Sequence, residues 1–248
     1  GYEEAACQGL MAGINANLLI NKNSTFIIKR SEGYIGVLID DLINKGTDEP
    51  YRMFTSRAEF RTLLSQDNAD LRLTELSYRL GLASQERMEA VIIKKQQVEE
   101  AINTLNGLTI SELESTEYLM SIGSATLSFT QKASQILLRP NVSIQGMIIN
   151  INSVAIAMKN YSSEISEQAE IQIKYNTYIQ KEKELVEKMA LLENLSIPED
   201  FNYEKLVSLG NEAKQKFKKI QPRTLGQASR ISGVNPSDVQ ILMVYMGR

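Results

Sequence analysis

The sequence has no histidine, no tryptophan and a single cysteine, Cys7, in 248 residues. Without histidine, neither the Ser-His nor the Cys-His nucleophile can be assembled, and zinc loses its usual nitrogen ligand. One cysteine cannot close an internal disulfide. No apolar run approaches the roughly 18 residues of a bilayer-crossing helix, so no membrane segment is expected and a cytoplasmic location is. Aromatic residues make up only 6%. The apolar positions carry mainly Leu, Ile, Ala, Val and Met among Glu, Lys and Gln, a mixture that favours helices. A mostly α fold is therefore predicted, with no catalytic or metal-binding set of its own.

The residues that are present suffice for a core: 43% are apolar, in a chain long enough for one large domain or two small ones. A formal net charge of −3 excludes a globally basic nucleic-acid binder but leaves room for a local cationic face. The opening Gly1-Tyr2-Glu3-Glu4-Ala5-Ala6 has neither an initiator methionine nor a signal peptide, and reads as the edge of a fragment cut from a longer protein.

Small residues at Ala5, Gly9, Ala12, Gly13 and Ala16 line one side of a first helix whose apolar contacts are Leu10, Ile14, Leu18 and Leu19. That face suits either close helix packing or a helix that presents Gly1 to a phosphate. From Ser31 to Asp70 the helical rhythm breaks at Gly33, Gly36, Gly46, Thr47 and Pro50, so a short β or irregular segment is expected near 34–55, with a short helix as the alternative. The adjacent Asp40 and Asp41 are read as a cap plus a salt bridge, or as an acid–base or Mg²⁺ pair.

The segment from Pro50 to Arg61 is the most unusual in the chain. If Ser56 starts a helix, Arg57 and Arg61 share a face, with Tyr51 and Arg52 just before it. Forked guanidinium donors beside an aromatic platform suit an RNA backbone. The alternative is ion pairing with Glu49, Glu59, Asp67 and Asp70.

Helices are then predicted up to Leu80 with Gly81 as the stop, over 84–106 along Met88, Val91, Ile92, Lys95, Val98, Ile102 and Leu105, and over Ser163 to about Asn194. The two long helices would pair into an elongated helical bundle. Shorter helices are expected near 110–121, 128–138 and 143–149. Past Pro198 the composition changes: Lys205, Lys214, Lys216, Lys218, Lys219, Arg223 and Arg230 face only Glu212, a local balance of +6. The end reads as a helix, a turn at Gly233 and a second helix capped by Asn235 with Pro236 at its first position. That second helix is apolar nearly all round. It suits burial or a protein partner better than reading base edges, with Val239, Leu242, Met243 and Met246 as partner-binding candidates.

The words Gly1 to Ala6 with Gln8-Gly9, Gly36 to Leu42, Glu49 to Arg61, Asp67 to Glu75 and Gly226 to Val234, together with the weaker Glu170 to Tyr175, resemble the MnmG (glucose-inhibited division protein A) family. These are the flavoprotein subunits that modify the wobble uridine of tRNA, and the resemblance extends from end to end in the family's order. It implies a longer parent whose FAD-binding domain, NADH site and reactive cysteines precede Gly1. It also implies a carbon drawn from methylene-tetrahydrofolate, a GTPase partner (MnmE) and a homodimer. On this resemblance Arg52, Arg57 and Arg61, with Arg72 close behind, grip tRNA; Gly1, Tyr2 and Glu3 are a remnant of the FAD domain; and the C-terminal helices dock the GTPase. Ser65-Gln66 departs from the Arg-Glu of some relatives, and Cys7 stands where alanine is usual. The expected domains are 1–30 (FAD-domain remnant), 31–196 (helical, tRNA-facing) and 197–248 (a small C-terminal helical subdomain for partner docking). The fragment alone is expected to be inactive. The rival reading is a free-standing helical nucleic-acid-binding or scaffold protein using the 224–246 hairpin.

Overall fold

The computed structural model describes residues 1–45, 51–193, 195–206 and 208–247. Gly46, Thr47, Glu49 and Pro50, which entered the sequence reading, lie outside the described residues. Twelve α-helices occur among the described residues: α1 (Tyr2–Ile20), α2 (Tyr34–Lys45), α3 (Ala69–Arg79), α4 (Gln85–Gly107), α5 (Glu112–Ser121), α6 (Ala133–Leu137), α7 (Ile144–Asn150), α8 (Asn152–Met158), α9 (Ser163–Glu193), α10 (Asn211–Ile220), α11 (Leu225–Arg230) and α12 (Pro236–Tyr245). The described β structure is a two-residue antiparallel ribbon, β1 (Thr109–Ile110) against β2 (Gln131–Lys132), with Thr109 opposite Lys132. The fold is mostly α.

The chain forms two compact units, one of residues 1–64 with 182–248 and the other of residues 65–181. They are drawn differently from the linear segments 1–30, 31–196 and 197–248, because α9 leaves the second unit and supplies its last three turns to the first.

In the second unit, α4 begins at Ser84, whose hydroxyl accepts from the Arg87 amide. It buries Val91, Val98, Ala101 and Leu105 on one stripe, while Ile92, expected there, is exposed. Its neighbours include α3, α6 and α8, and it meets the start of α9, where Lys94 pairs with Glu164 and Ile165 and Ala169 join the same core. Ile110, Leu119, Ile136, Met147 and Ile151 are fully buried around Leu105. Each contributes about 1.5–3 kcal/mol relative to exposure. α8 was not foreseen: its first turn is capped from a distance, the Ser153 amide donating to the Glu114 carboxylate at 2.8 Å.

In the first unit, the segment expected to be short β or irregular begins as α2. Val37, Leu38, Asp41 and Asn44 are buried at helical spacing, and a Cβ at Gly36 would overlap the Lys29 carbonyl, so only glycine lets the preceding turn fold back so closely. From Tyr51 to Leu64 the chain is irregular apart from the 3₁₀ turn Thr55–Arg57. Val186 and Met189 of α9 pack against Val37, Ala58, Phe60 and Leu64. The C-terminal helices close their own core around Phe217, Leu206, Leu225 and Leu242. The expected start of α12 is present in full: Asn235 and Asp238 form a reciprocal capping box, with Pro236 at the first position.

Candidate functional site

The stretch from Tyr51 to Leu64 is held within the first unit around Arg30, which the sequence pattern does not single out. Arg30, on the connection between α1 and α2, is 7% exposed. Its Nη1 donates to Asp41 at 2.8 Å and Asp40 at 3.0 Å, while Nε and Nη2 grip both oxygens of Glu59 at 3.2 and 2.7 Å. The carbonyls of Val37 and Arg57 accept from the same guanidinium, each at 3.3 Å. Burial works against its charge. The hydrogen bonds it donates to Glu59 and Asp41, aided by the fields of Glu59 and Asp40, outweigh burial and raise its pKa.

Asp41, 1% exposed, also accepts from the Tyr51 hydroxyl at 3.0 Å and faces Arg57 Nη1 at 3.8 Å. Burial and that hydrogen bond push the Tyr51 phenol up. The Arg57 guanidinium lies 4.5 Å from the centre of the Tyr51 ring, a cation–π stack. Asp40 also receives Nε and Nη2 of Arg230, each at 2.8 Å, and Arg230 Nη1 donates to Glu193. Asp40 and Asp41 are therefore ion-pair anchors in mid-helix. They are neither a cap nor, with their oxygens so occupied, an acid–base pair.

The cationic residues fall into distinct positions. The helix expected to start at Ser56 is only a 3₁₀ turn, Thr55–Arg57, followed by Ala58 in extended conformation (φ −88°, ψ 132°). Ala58 and Phe60 both point into the core, an alternation that a helix cannot make, so Arg57 and Arg61 do not share a helical face. Arg57 turns inward onto Tyr51. Arg52 and Arg61 are exposed and, among the described residues, make no hydrogen bond or ion pair. The carboxylates that might have neutralised them are engaged elsewhere: Glu59 with Arg30, Asp70 with Lys94, and Asp67 with the Ser65 hydroxyl. Glu49 lies outside the described residues. Arg72 belongs to the second unit and secures its own approach turn, donating to Asn68 and the Ser65 carbonyl, each at 3.3 Å.

The basic stretch near the C-terminus is largely internally paired. Glu204, one residue before the counted window, pairs with Lys218 and lies 3.9 Å from Lys214. Lys216 pairs with Glu212, and Arg230 is committed to Asp40 and Glu193. Lys205, Lys219 and Arg223 remain exposed without a described ion pair. Of the four partner candidates on α12, Val239 and Leu242 are core residues, and Met243 and Met246 are half-buried against the same core. The apolar positions that α12 leaves exposed are Val244 and Tyr245.

Gly1, Tyr2 and Glu3 open α1, with Tyr2 almost fully exposed. The first turn carries Glu3 and Glu4, and Glu4 accepts from the Met53 amide at 2.9 Å. Two carboxylates at a helix N-terminus compete with a phosphate for its amide groups. These residues alone do not fit a flavin nucleotide.

Fold and site together define a two-unit helical module in which a buried arginine–carboxylate scaffold holds out two arginines that are unpaired among the described residues. Residues 85–183 match the model described as the tRNA modifying enzyme MnmG/GidA C-terminal helical domain, and residues 185–248 match its C-terminal helical bundle. The chain belongs to the MnmG/GidA family and comprises its C-terminal helical domains. It is 50% identical over 248 residues to the tRNA uridine 5-carboxymethylaminomethyl modification enzyme MnmG of Cytophaga hutchinsonii, and 52% identical over 250 residues to that of Flavobacterium psychrophilum. In both comparisons all of this chain is matched, and it spans 40% of the relative's length. Two crystal forms of Aquifex aeolicus GidA, 37% identical, superpose with TM-scores of 0.78 and 0.75 over the whole chain, covering 38% and 37% of that protein.

Proposed function

We propose that the chain is the RNA- and partner-binding part of an FAD- and NADH-dependent enzyme. With a GTPase partner, MnmE, that enzyme builds a (carboxymethyl)aminomethyl group on carbon 5 of the tRNA wobble uridine. The observation that carries this reading is the pair of exposed guanidinium groups, Arg52 and Arg61, unneutralised among the described residues, on a segment otherwise held by buried ion pairs. Holding the backbone rigid while leaving the cations free lowers the ordering cost of gripping a phosphate chain. Arg57 on Tyr51 adds a stacked, half-exposed platform, and Arg72, in the second unit, is read as a tRNA contact in its own right. Gly1, Tyr2 and Glu3 are read as the margin of a flavin domain supplied by the rest of the enzyme, which also carries the NADH site and the homodimer contacts. The GTPase is assigned to the exposed side of α12, at Val244 and Tyr245 with the half-buried Met243 and Met246; Val239 and Leu242 act from the core beneath.

The test is tRNA binding as a function of salt. Arg52→Ala or Arg61→Ala should each weaken binding by about three- to tenfold and lower the slope of log affinity against log salt by about one. Wild-type affinity and slope in both variants would remove the reading.

A further inference from the structure

The backbone immediately after Arg61 is fixed by one carboxylate from a distant part of the sequence. Glu182, in α9, accepts from the Thr62 amide at 3.2 Å and from the Leu63 amide at 2.9 Å, one on each oxygen. The peptide plane that joins Arg61 to Thr62 is thus held directly. On the other side of Arg61, Phe60 is 2% exposed and Leu64 closes a turn back to its carbonyl at 2.9 Å. The Arg61 Cα is fixed from both directions, while its side chain is exposed.

Glu182 lies on the stripe of α9 that continues through Val186 and Met189, both packed against Phe60 and Leu64. Its position is therefore set by the same core that it serves. Its oxygens are occupied by amide donors and, among the described residues, by no guanidinium. A carboxylate that paired with Arg61 would cancel the charge; one that binds the neighbouring backbone sets the direction of the side chain and leaves the charge available.

We infer that Glu182 is a positioning residue for RNA: it aims Arg61 at a phosphate without touching the nucleic acid. The inference rests on the reading of Arg52 and Arg61 as RNA contacts. A residue that only stabilised the fold would change the melting temperature and leave the number of phosphate contacts unaltered. Glu182 acts on that number, through Arg61.

The experiment measures tRNA binding across a salt series for the full chain carrying Glu182→Ala, Glu182→Gln, Arg61→Ala and the Glu182→Ala/Arg61→Ala pair, with circular dichroism recording that each is folded. Glu182→Ala is expected to weaken binding by about three- to tenfold and to lower the salt slope by about one. Glu182→Gln keeps one acceptor oxygen and should fall between it and the wild type. With Arg61 already alanine, removing Glu182 should change affinity by less than about twofold, since the two act as one unit. If Glu182→Ala does not fold, the same cycle is run with Glu182→Gln. Additive losses in the double variant, or wild-type slopes in the Glu182 variants beside a weakened Arg61→Ala, would overturn the inference. An Arg61→Ala variant that binds as the wild type overturns the arginine reading itself, and the inference with it.

Discussion

Replacing Arg30 with methionine removes the centre of the buried scaffold while keeping a long, flexible apolar stem. Six hydrogen bonds from that guanidinium disappear. Removing one partner of a buried ion pair costs about 3–5 kcal/mol, mostly because the remaining charge is left unpaired. The three carboxylates are not equally exposed to that loss. Asp40 keeps both bonds from Arg230, and Glu59, whose side chain is 35% exposed, can be rehydrated. Asp41, 1% exposed, loses its shortest ion pair, the 2.8 Å contact with Arg30, and keeps the Tyr51 hydroxyl and the more distant Arg57 among its partners. The expected loss therefore lies near the lower end, about 3 kcal/mol, or roughly 10 °C in the melting of the first unit. Thermal and urea unfolding followed by circular dichroism measures it. Arg30→Lys, which offers one ammonium in place of a two-pronged grip on Glu59, should lose about half as much. Asp41→Asn introduced into Arg30→Met should recover about 1–2 kcal/mol, because it removes a buried charge that has lost its Arg30 partner. An Arg30→Met variant within about 1 kcal/mol of the wild type would refute the reasoning, as would further destabilisation on adding Asp41→Asn.

Two further outcomes are expected. Burial raises the pKa of Asp70, but hydrogen bonds from Lys94 and the Leu71 amide outweigh it, so the net shift is downward. A depressed carboxylate stabilises the fold above its unfolded pKa of about 3.9, and that contribution is lost as pH falls through the lower folded value. Asp70→Asn should accordingly cost about 1 kcal/mol or less at neutral pH, with the gap to wild type closing in acid; a gap constant from pH 7 to 3 contradicts the assignment. On α12, Val244→Asp with Tyr245→Ser should abolish co-elution with the GTPase while the helical circular dichroism stays unchanged, because neither side chain belongs to the buried core. Retained co-elution would place the docking surface elsewhere.

The helices legible in the sequence are those whose ends are decided locally. Ser84, Ser111, Ser143, Thr224 and Asn235 each cap the helix that follows from within a few residues, and Gly81 and Gly233 adopt the positive φ that terminates a turn. α8 escaped because no local side chain caps it; an amide of its first turn, that of Ser153, is satisfied by Glu114, 39 residues away. The supposed helix at Ser56 failed for a related reason. Local spacing favoured it, but burying both Ala58 and Phe60 against α9 requires an extended backbone, and tertiary packing prevailed over local preference.

The arginine segment was legible as a concentration of cations, but which of them are free was not, because charge neutralisation is a property of space. A window opened at Lys205 counts +6 and leaves out Glu204, the carboxylate that pairs with Lys218. Arg230 looks like the end of a basic patch, yet Asp40, 190 residues earlier, takes two of its donors. Conversely, Arg52 and Arg61 sit among acidic neighbours in sequence and stand unpaired among the described residues, because Arg30, flanked by nothing that marks it, draws Glu59 away. A cationic surface in this chain is made as much by where its carboxylates are sequestered as by where its arginines lie. The residues that sequester them, Arg30 above all, are therefore as much a part of the site as those that face outward.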